Sequence, residues 1–277
     1  MIFADRMSAP HGKQYHLGAA PGDLARYLLL VGDPERAALA ASLLDNVRFT
    51  SSRRDYHIYT GDHEGLDLTV LCVGMGPGCM EIAVVELCQI VDRPTLIRAG
   101  SAGAIQPEIG LGDLVIAQGA LRMESASLGY VDAGYPAFAH AEAQLALVRA
   151  ADERGIQFHV GVTATAPGFF GAQGRHVPGF APRHDDLIAQ LARQGVKNME
   201  METSCLLTLA ALRGLRAGAV CATFANRHHD TVVDEAQRDK AQRDVVSTGL
   251  AALHHLARME QQTGSRPHWH EGLSGRG

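Results

Sequence analysis

Apolar and polar positions along the chain form two kinds of pattern that alternate with each other. Short, continuous apolar runs bounded by turn residues predict buried strands, and longer segments with apolar residues on one helical face predict helices. The predicted strands span residues 27–31, 66–73, 95–98, 113–118, 158–165 and 217–224. One predicted helix begins at Asp33-Pro34, and four others span residues 79–90, 139–153, 200–213 and 235–258. This alternation predicts the α/β class, a three-layer αβα domain with a mixed central sheet.

The pattern extends over most of the chain and predicts a single domain from residue 16 to residue 262. Residues 1–15 carry no clear periodicity and are predicted to be a flexible N-terminus. Residues 263–277 hold Gly, Ser, Pro and His without a repeating apolar position, which predicts a disordered tail.

Composition narrows the class of protein. The 277 residues are 46% hydrophobic but only 5% aromatic, so a chain of this size is expected to bury a large aliphatic core. A formal net charge of -5 argues against nucleic acid as a partner, because a polyanion requires a basic surface. No apolar run reaches the length of a signal peptide or a membrane span, so we expect a soluble, cytoplasmic protein. Five cysteines without a CxxC pair are expected to be reduced.

Polar, glycine-containing segments follow several of the predicted strands. In Val31-Gly32-Asp33-Pro34-Glu35-Arg36, Asp33 is the predicted N-cap and Pro34 lies in the first turn. A glycine lets a ligand approach the backbone, and a helix N-terminus favours an anion. The alternative is an ordinary capped helix whose Arg36 is solvated.

Arg98 is the stronger candidate for binding an anion. It ends an apolar strand and is followed by Gly100-Ser101-Ala102-Gly103. Burying a guanidinium is unfavourable unless it meets an anion, and here Ser101 adds a hydroxyl while the glycines expose backbone N–H groups. A structural salt bridge is the alternative.

Two further segments suggest contacts with a sugar and a flat ring. Glu200 and Glu202 straddle a strand-to-helix turn, where a carboxylate either accepts bonds from sugar hydroxyls or simply stabilises the helix dipole. Phe169-Phe170, Gln173 and Arg175 offer stacking surfaces and edge hydrogen bonds for a heterocycle. The alternative is a surface loop with two buried phenylalanines.

Taken together in their order and spacing, these segments resemble the nucleoside phosphorylase family, and within it the uridine phosphorylase type. The resemblance extends from about His16 to about Met259, and its matching stretches include His16-Leu17-Gly18, Gly112-Asp113, His159-Val160-Gly161-Val162 and Asn226-Arg227. It implies a nucleoside phosphorylase-like fold and the reversible phosphorolysis of a pyrimidine nucleoside, uridine foremost, to the free base and ribose 1-phosphate. The chain would then be a pentosyltransferase in which Arg98, Glu202 and Arg175 are catalytic.

The resemblance also implies which residues contact each part of the substrates. The residues matching the phosphate site are Gly32, Arg36, Arg98, Ser101 and, from a neighbouring subunit, Arg54. Those matching the ribose site are Glu200, Met201, Glu202 and, from the neighbour, His16 near the 5′-hydroxyl. Those matching the base site are Phe169, Gln173, Arg175, Phe224 and Arg227. Because His16 and Arg54 would act across an interface, the resemblance implies a homo-oligomer, with a dimer as the minimum unit and a hexamer as the expected assembly.

Inorganic phosphate is the implied co-substrate, and no organic cofactor or metal is expected. Adjacent histidines on a helix, such as His254 and His255, point apart and would not share an ion. Some members of the family hold a monovalent cation at the dimer interface, where this chain has Asp55 and Cys79; the thiol in place of the usual Ser argues against that cation.

Alternatives within and outside this activity remain open. A purine or methylthioadenosine phosphorylase or nucleosidase would share the fold. The family usually has Thr where this chain has Ser101 and Ala102, and a polar loop where it has residues 165–168. A nucleoside-binding protein could have lost catalysis through these changes. Purine enzymes of this fold use a Ser-Asp pair where this chain has Asn226-Arg227, which favours a pyrimidine.

Overall fold

The structure is a computed structural model that describes residues 12–264, 266 and 268–270. Residues 1–11, 265, 267 and 271–277 lie outside the described residues, so most of the predicted flexible N-terminus and part of the predicted tail fall there. The domain boundaries therefore stay predictions.

Strands and helices alternate along the described chain. The strands are β1 (Tyr27–Val31), β2 (Asp45–Arg53), β3 (Tyr56–His63), β4 (Leu66–Cys72), β5 (Thr95–Ala104), β6 (Leu114–Arg122), β7 (Ala137–Phe138), β8 (Phe158–Thr165), β9 (Asn198–Glu200), β10 (Arg216–Asn226) and β11 (Thr231–Val232). The α-helices are α1 (Pro34–Ala41), α2 (Pro77–Ile90), α3 (Ala141–Glu153), α4 (Leu187–Arg193), α5 (Thr203–Leu212) and α6 (Glu235–Thr263).

The strands form one mixed sheet in the order β11-β10-β6-β8-β9-β5-β1-β4-β3-β2, with β7 paired to β6. Strands β4, β1, β5 and β10 are parallel neighbours, whereas β6 pairs antiparallel with β10 and β9 pairs antiparallel with β5. Because β5 pairs with both β10 and β9, the five strands β5, β10, β6, β8 and β9 close into a ring. The predicted mixed α/β sheet is confirmed, and its closed section is an addition.

Helices cover both faces of the sheet and give the three predicted layers. Successive residues of β1 alternate between two apolar clusters: Leu29 and Val31 pack with residues of α1, α3 and α6, and Leu28 and Leu30 pack with residues of α2 and α5. A strand that is buried on both faces reads as a continuous apolar run, which is why β1 was predictable from the sequence. No helix among the described residues has both the length and the apolar character that a membrane span requires.

Several element boundaries differ from the prediction. The exposed edge strand β2 and its partner β3 were missed, because β2 is polar along most of its length and carries no apolar signal. Strand β5 was predicted to end at Arg98, but it continues to Ala104 because β10 pairs with it along that whole length. Helix α5 begins at Thr203 rather than Glu200, and α6 continues to Thr263.

Candidate functional site

The candidate site lies where β9 returns alongside β5. These two strands are antiparallel, with Met199 opposite Gly103, so the chain after β9 runs back toward the middle of β5. That path brings Glu200 and Glu202 to Arg98, although the three residues were predicted at the ends of separate strands. Parallel strands β1 and β4 end beside the same region, and Gly32 and Gly74 follow them.

Arg98 is buried, and its guanidinium is surrounded by acceptors. Nη2 donates to Glu202 Oε2 and lies 3.3 Å from Glu200 Oε2, while Nη1 donates to Cys221 Sγ at 2.9 Å. Burial by itself lowers the pKa of Arg98, but Cys221, Glu200 and Glu202 outweigh it and raise that pKa above its ordinary value. The structural salt bridge, which was the alternative reading of Arg98, is therefore present, and the binding of an external anion by Arg98 stays a prediction.

Gly100 makes room for this guanidinium. A Cβ atom added at Gly100 would lie 2.6 Å from Arg98 Cζ and 2.8 Å from Nη2, far inside van der Waals contact. Any other residue at this position would displace the side chain of Arg98 from its acceptors.

Glu200 and Glu202 are buried and have different partners. Oε2 of Glu200 accepts from the backbone N–H groups of Glu202 and Thr203, both at 2.8 Å, and its Oε1 accepts from the Thr165 hydroxyl at 2.5 Å. Glu200 thus caps the first turn of α5, which explains why the helix starts after it. Glu202 instead faces Arg98.

The second oxygen of Glu202 binds the glycine-rich turn after β4. The backbone N–H of Gly76 donates to Glu202 Oε1 at 2.5 Å, and Gly76 has a φ of 96°, a conformation that favours glycine. Burial raises the pKa of Glu202; Arg98 opposes that rise, and the nearby Glu200 adds to it.

Asp55 and Cys79 meet on the other side of this turn. A Cβ at Gly74 would lie 3.1 Å from Asp55 Cβ and 3.7 Å from Cys79 Sγ, so the pair that the sequence linked to a monovalent cation is close in space. Burial raises the pKa of the Cys79 thiol, and the charges of Asp55 and Glu202 raise it further. A thiol that stays protonated is a poor ligand for a hard cation.

Arg36 enters the site from α1. It is buried, and the centre of its guanidinium lies 5.7 Å from the ring centroid of Phe224. Burial lowers the pKa of Arg36. The charge of Asp33 opposes this by raising the pKa, and the like charge of Arg98 lowers it further. Asp33 caps α1 by accepting from the Glu35 N–H at 2.8 Å, as predicted.

Phe224 sits at an irregularity of β10. The register between β10 and β5 shifts between Thr223 and Ala225, so Phe224 is the extra residue of a bulge. Bulges redirect side chains and are frequent beside functional sites. Ser101, on β5 opposite Ala222, is partly exposed in the same region, and Met201 lies in the bend between β9 and α5.

The residues predicted to bind a base form a second cluster. Arg175 Nη1 donates to Gln173 Oε1 at 2.5 Å and to the Phe169 carbonyl at 2.7 Å, and its guanidinium lies 3.9 Å from the Phe169 ring centroid. Arg227 Nη1 donates to the Gln173 carbonyl at 3.1 Å. Burial, followed by the charge of Arg227, lowers the pKa of Arg175 to about 10.

This base cluster lies beside the arginine–glutamate cluster. Strand β8 ends at Thr165, which binds Glu200, and the loop to Phe169 and Gln173 follows directly. The side chain of Arg227 packs over Gly103 of β5, where a Cβ would lie 3.5 Å from Arg227 Cγ. Gln173 is buried, whereas Phe169 is about half exposed and Phe170 likewise, so the alternative of two buried phenylalanines is wrong.

His16 and Arg54 both lie beside Tyr15. The Tyr15 and His16 rings are 4.9 Å apart in an edge-on arrangement, and Arg54 lies 5.6 Å from the centroid of the Tyr15 ring. Among the described residues, no hydrogen bond or ion pair joins His16 or Arg54 to Arg36, Arg98 or Glu202 of the same chain. Their assignment to the site of a neighbouring subunit stays a prediction.

Comparison with known proteins decides the family. A model of the phosphorylase superfamily matches residues 26–258. The chain belongs to the phosphorylase superfamily.

Individual members of the superfamily match nearly the whole chain. It is 40% identical to the uridine phosphorylase of Thermococcus kodakarensis, over 99% of this chain and 98% of that protein. It is 35% identical to the uridine phosphorylase of Haemophilus influenzae, over 87% of this chain and 98% of the relative. Its fold is similar to the crystal structure of uridine phosphorylase from Vibrio fischeri ES114, with a TM-score of 0.79 and 27% identity over 90% of this chain and 99% of that chain.

In this member of the phosphorylase superfamily, sequence reasoning missed several supporting groups. Gly76, Thr165 and Cys221 carried no signal that linked them to Glu202, Glu200 or Arg98. Glu86 could have been noticed, because it is a charged residue with apolar neighbours on both sides in α2. Its carboxylate accepts from the backbone N–H groups of His16 and Leu17 and contacts His16 Nδ1 at 2.7 Å.

Proposed function

We propose that this chain catalyses the reversible phosphorolysis of a pyrimidine nucleoside, uridine foremost, to the free base and ribose 1-phosphate. It is then a pentosyltransferase of the uridine phosphorylase type. The observation that carries this proposal is the convergence of Arg36 and Arg98, from separate parts of the chain, beside the buried carboxylate of Glu202. The whole-length similarity to uridine phosphorylases supports the same activity.

Arg36 and Arg98 are suited to holding the phosphate, with Gly32 and Ser101 at the rim of the same region. Within the described part of the chain, the buried Nε atoms of both arginines have no hydrogen-bond partner. Buried donors of this kind are unfavourable unless they bind an acceptor, and the oxygens of a phosphate would satisfy them. Two guanidinium groups also fix the nucleophile below C1′ of the ribose, which removes much of the entropic cost of the reaction.

Glu202 is suited to holding the ribose hydroxyls, with Met201 beside it. Its carboxylate is already fixed by Gly76 and Arg98, and Glu200 fixes the backbone at Glu202 by accepting its N–H. We therefore assign Glu202 to direct contact and Glu200 to positioning. As the bond between C1′ and the base breaks, positive charge develops on the ribose, and the neighbouring phosphate and carboxylate stabilise it.

Gln173, Arg175 and Phe169 are suited to the base, with Phe224 and Arg227 at its edges. The bonding electrons of the broken glycosidic bond move onto the base, so negative charge develops on its carbonyl oxygens. Arg175, whose pKa of about 10 keeps it protonated at neutral pH, stabilises that charge. The amide of Gln173 supplies one acceptor and two donors, which match the imide edge of uracil.

Asn226 favours a pyrimidine over a purine. Its Oδ1 accepts from the backbone N–H groups of His228 at 2.8 Å and His229 at 3.0 Å, and its Nδ2 donates to the Ile109 carbonyl at 2.7 Å. The side chain is buried and used in holding the loop, and an amide is too weak an acid to protonate a purine nitrogen. The next residue, Arg227, faces the base cluster instead.

The position of His16 and Arg54 favours a homodimer as the smallest active unit. Both side chains lie in one cluster beside Tyr15, so a single contact with a neighbouring subunit would present both of them to that subunit's site. We extend the proposal to a hexamer of three such dimers in the cytoplasm. Phosphate is the co-substrate, no cofactor is involved, and Asp55 and Cys79 hold no monovalent cation.

The proposal is tested by the phosphate dependence of nucleoside cleavage. Uridine, thymidine, inosine and adenosine are each incubated with the enzyme, with and without phosphate, and release of the base is followed by chromatography. We expect uridine to be cleaved fastest and only when phosphate is present. Equal rates without phosphate would identify a nucleosidase, preference for inosine or adenosine a purine enzyme, and tight uridine binding without turnover a binding protein.

Two arginines that flank the same phenylalanine provide a matched pair of variants. Arg36 and Arg238 lie 5.7 Å and 6.0 Å from the centroid of Phe224, but Arg36 is buried in the site and Arg238 is exposed. Losing one charge-assisted bond to phosphate costs about 1.5–3 kcal/mol, so Arg36→Gln should lower kcat/KM for phosphate roughly 10–100-fold. Arg238→Gln should leave it nearly unchanged, and equal effects of the two variants would contradict the assignment.

A further inference from the structure

Two histidines and a glutamate meet at the end of the sheet opposite the candidate site. His63 is the last residue of β3, Glu64 lies in the turn that leads to β4, and His254 lies on α6. Nδ1 of His63 is 2.9 Å from Nε2 of His254, and the ring centroids are 5.1 Å apart with a tilt of 53°. One ligand atom from each of the three residues lies within 4.8 Å of the others.

Each of these side chains is carried by a well-defined element. His63 pairs with Leu66 across the β3–β4 hairpin, and Glu64 and Gly65 form its tight turn with φ values of 48° and 81°. Helix α6 is 29 residues long, begins with a capping box at Asp234 and packs against the sheet through its apolar face. The adjacent His255 points elsewhere, to Glu153 at 3.0 Å, as expected for neighbouring residues of a helix.

The set of donors suits a transition metal. Imidazole nitrogens favour zinc and its neighbours over magnesium and calcium, which take oxygen ligands. Two nitrogens bound to a tetrahedral zinc ion at about 2.0 Å lie roughly 3.3 Å apart. The observed 2.9 Å between His63 Nδ1 and His254 Nε2 therefore has to open by only a few tenths of an ångström. Glu64 is exposed, so its carboxylate is free to turn toward an ion between the rings.

We propose that His63, Glu64 and His254 form a binding site for a divalent transition-metal ion of the zinc class, with its fourth position taken by water. The ion would join the β3–β4 hairpin to α6, two segments 191 residues apart in the sequence. It would serve stability rather than catalysis, because Gly65 lies at the amino end of β4 while the candidate site lies at the opposite end, beside Gly74. This is a departure from the expectation that the chain binds no metal.

The test is a titration of the full chain with Zn²⁺ after treatment with a chelator. Calorimetry should show saturable binding of one ion per chain, and Mg²⁺ should not compete. At free zinc about a hundredfold above the Kd, the Tm should rise by about 5–10 °C. His254→Gln should abolish this saturable binding and the rise in Tm, and Glu64→Gln, a change on an exposed turn, should weaken zinc binding at least roughly tenfold.

Three controls separate this site from other ligands in the chain. His228→Gln removes one of another pair of touching histidine rings, and the double variant of His268→Gln and His270→Gln removes those near the C-terminus; neither should alter binding. With Co²⁺ in place of zinc, nitrogen and oxygen ligands give visible bands without the near-ultraviolet band of cysteine thiolates. The proposal is wrong if the chelator-treated parent protein binds no zinc saturably, or if the His254→Gln variant binds zinc as well as the parent. It is also wrong if the cobalt complex shows thiolate ligands. Because the readouts are binding and Tm, the result is independent of the proposed activity.

Discussion

Replacing Gly100 by alanine displaces the guanidinium of Arg98 without removing any charged group. The added Cβ would lie 2.6 Å from Arg98 Cζ and 2.8 Å from Nη2. The backbone of Gly100 does not have a positive φ, so alanine fits the strand itself and the strain falls on the guanidinium. The alternative, a shift of β5, would disturb its pairing with Cys221 of β10.

The size of the effect follows from the contacts that Arg98 would lose. Its guanidinium binds Glu202, lies near Glu200 and donates to Cys221. Breaking a buried ion pair costs about 3–5 kcal/mol, and partial rearrangement would recover some of this cost. If phosphate loses two charge-assisted hydrogen bonds of about 1.5–3 kcal/mol each, kcat/KM for phosphate should fall roughly 100-fold or more.

Initial rates of uridine cleavage at varied phosphate measure this loss directly. Gly103→Ala on the same strand is the matched control, because its Cβ would lie 3.5 Å from Arg227 Cγ, an ordinary contact. Circular dichroism and thermal unfolding establish that both variants are folded. A folded Gly100→Ala enzyme whose kcat/KM for phosphate stays within a few-fold of the parent would refute the role assigned to Arg98.

Two further predictions concern the groups that support the site. Glu86→Gln should raise the KM for uridine while leaving the KM for phosphate nearly unchanged, because a Gln side chain turns an N–H donor toward the backbone donors of His16 and Leu17. Glu81→Gln on the same helix is its control, since Glu81 binds Tyr130 instead, and parallel changes in both KM values of Glu86→Gln would contradict a role through His16. Burial raises the pKa of the Cys221 thiol to about 11, compared with about 8.5 in an unfolded chain. The protonated thiol therefore contributes its full share of stability below about pH 8.5, and this contribution is lost as the pH rises toward 11. Urea unfolding at several pH values should therefore show that Cys221→Ala reduces the alkaline loss of stability by up to about 1.4 kcal/mol per pH unit; identical slopes in parent and variant would argue against this thiol.

The sequence predicted a strand or helix well where the segment is buried on both faces, has helical apolar periodicity, or begins with a capping side chain. Strand β1, the Asp33 cap and the long helix α6 all followed from apolar runs, a cap residue and helical periodicity. Strand β2 could not be predicted in this way, because a polar strand at a sheet edge has no apolar pattern and forms only by pairing with β3.

For the site, the residue types were readable from the sequence but their partners were not. Arg98 and Glu202 stood out because each is a charge next to an apolar strand, and the resemblance to a known family assigned them to phosphate and ribose. Nothing local indicates that Cys221, Gly76 or Thr165 would bind these residues, since such contacts join positions 35 to 126 residues apart.

What the sequence by itself determined is the α/β class, the aliphatic core and the charged residues that have to find an anion or a carboxylate. What only the tertiary structure decided is how those residues meet: β9 runs antiparallel to β5, and this direction carries Glu200 and Glu202 back to Arg98. The physical reason is that apolar periodicity reports how deeply a segment is buried but not which strand lies beside it or in which direction. Those choices depend on contacts between distant parts of the chain, and they place the functional groups of this protein.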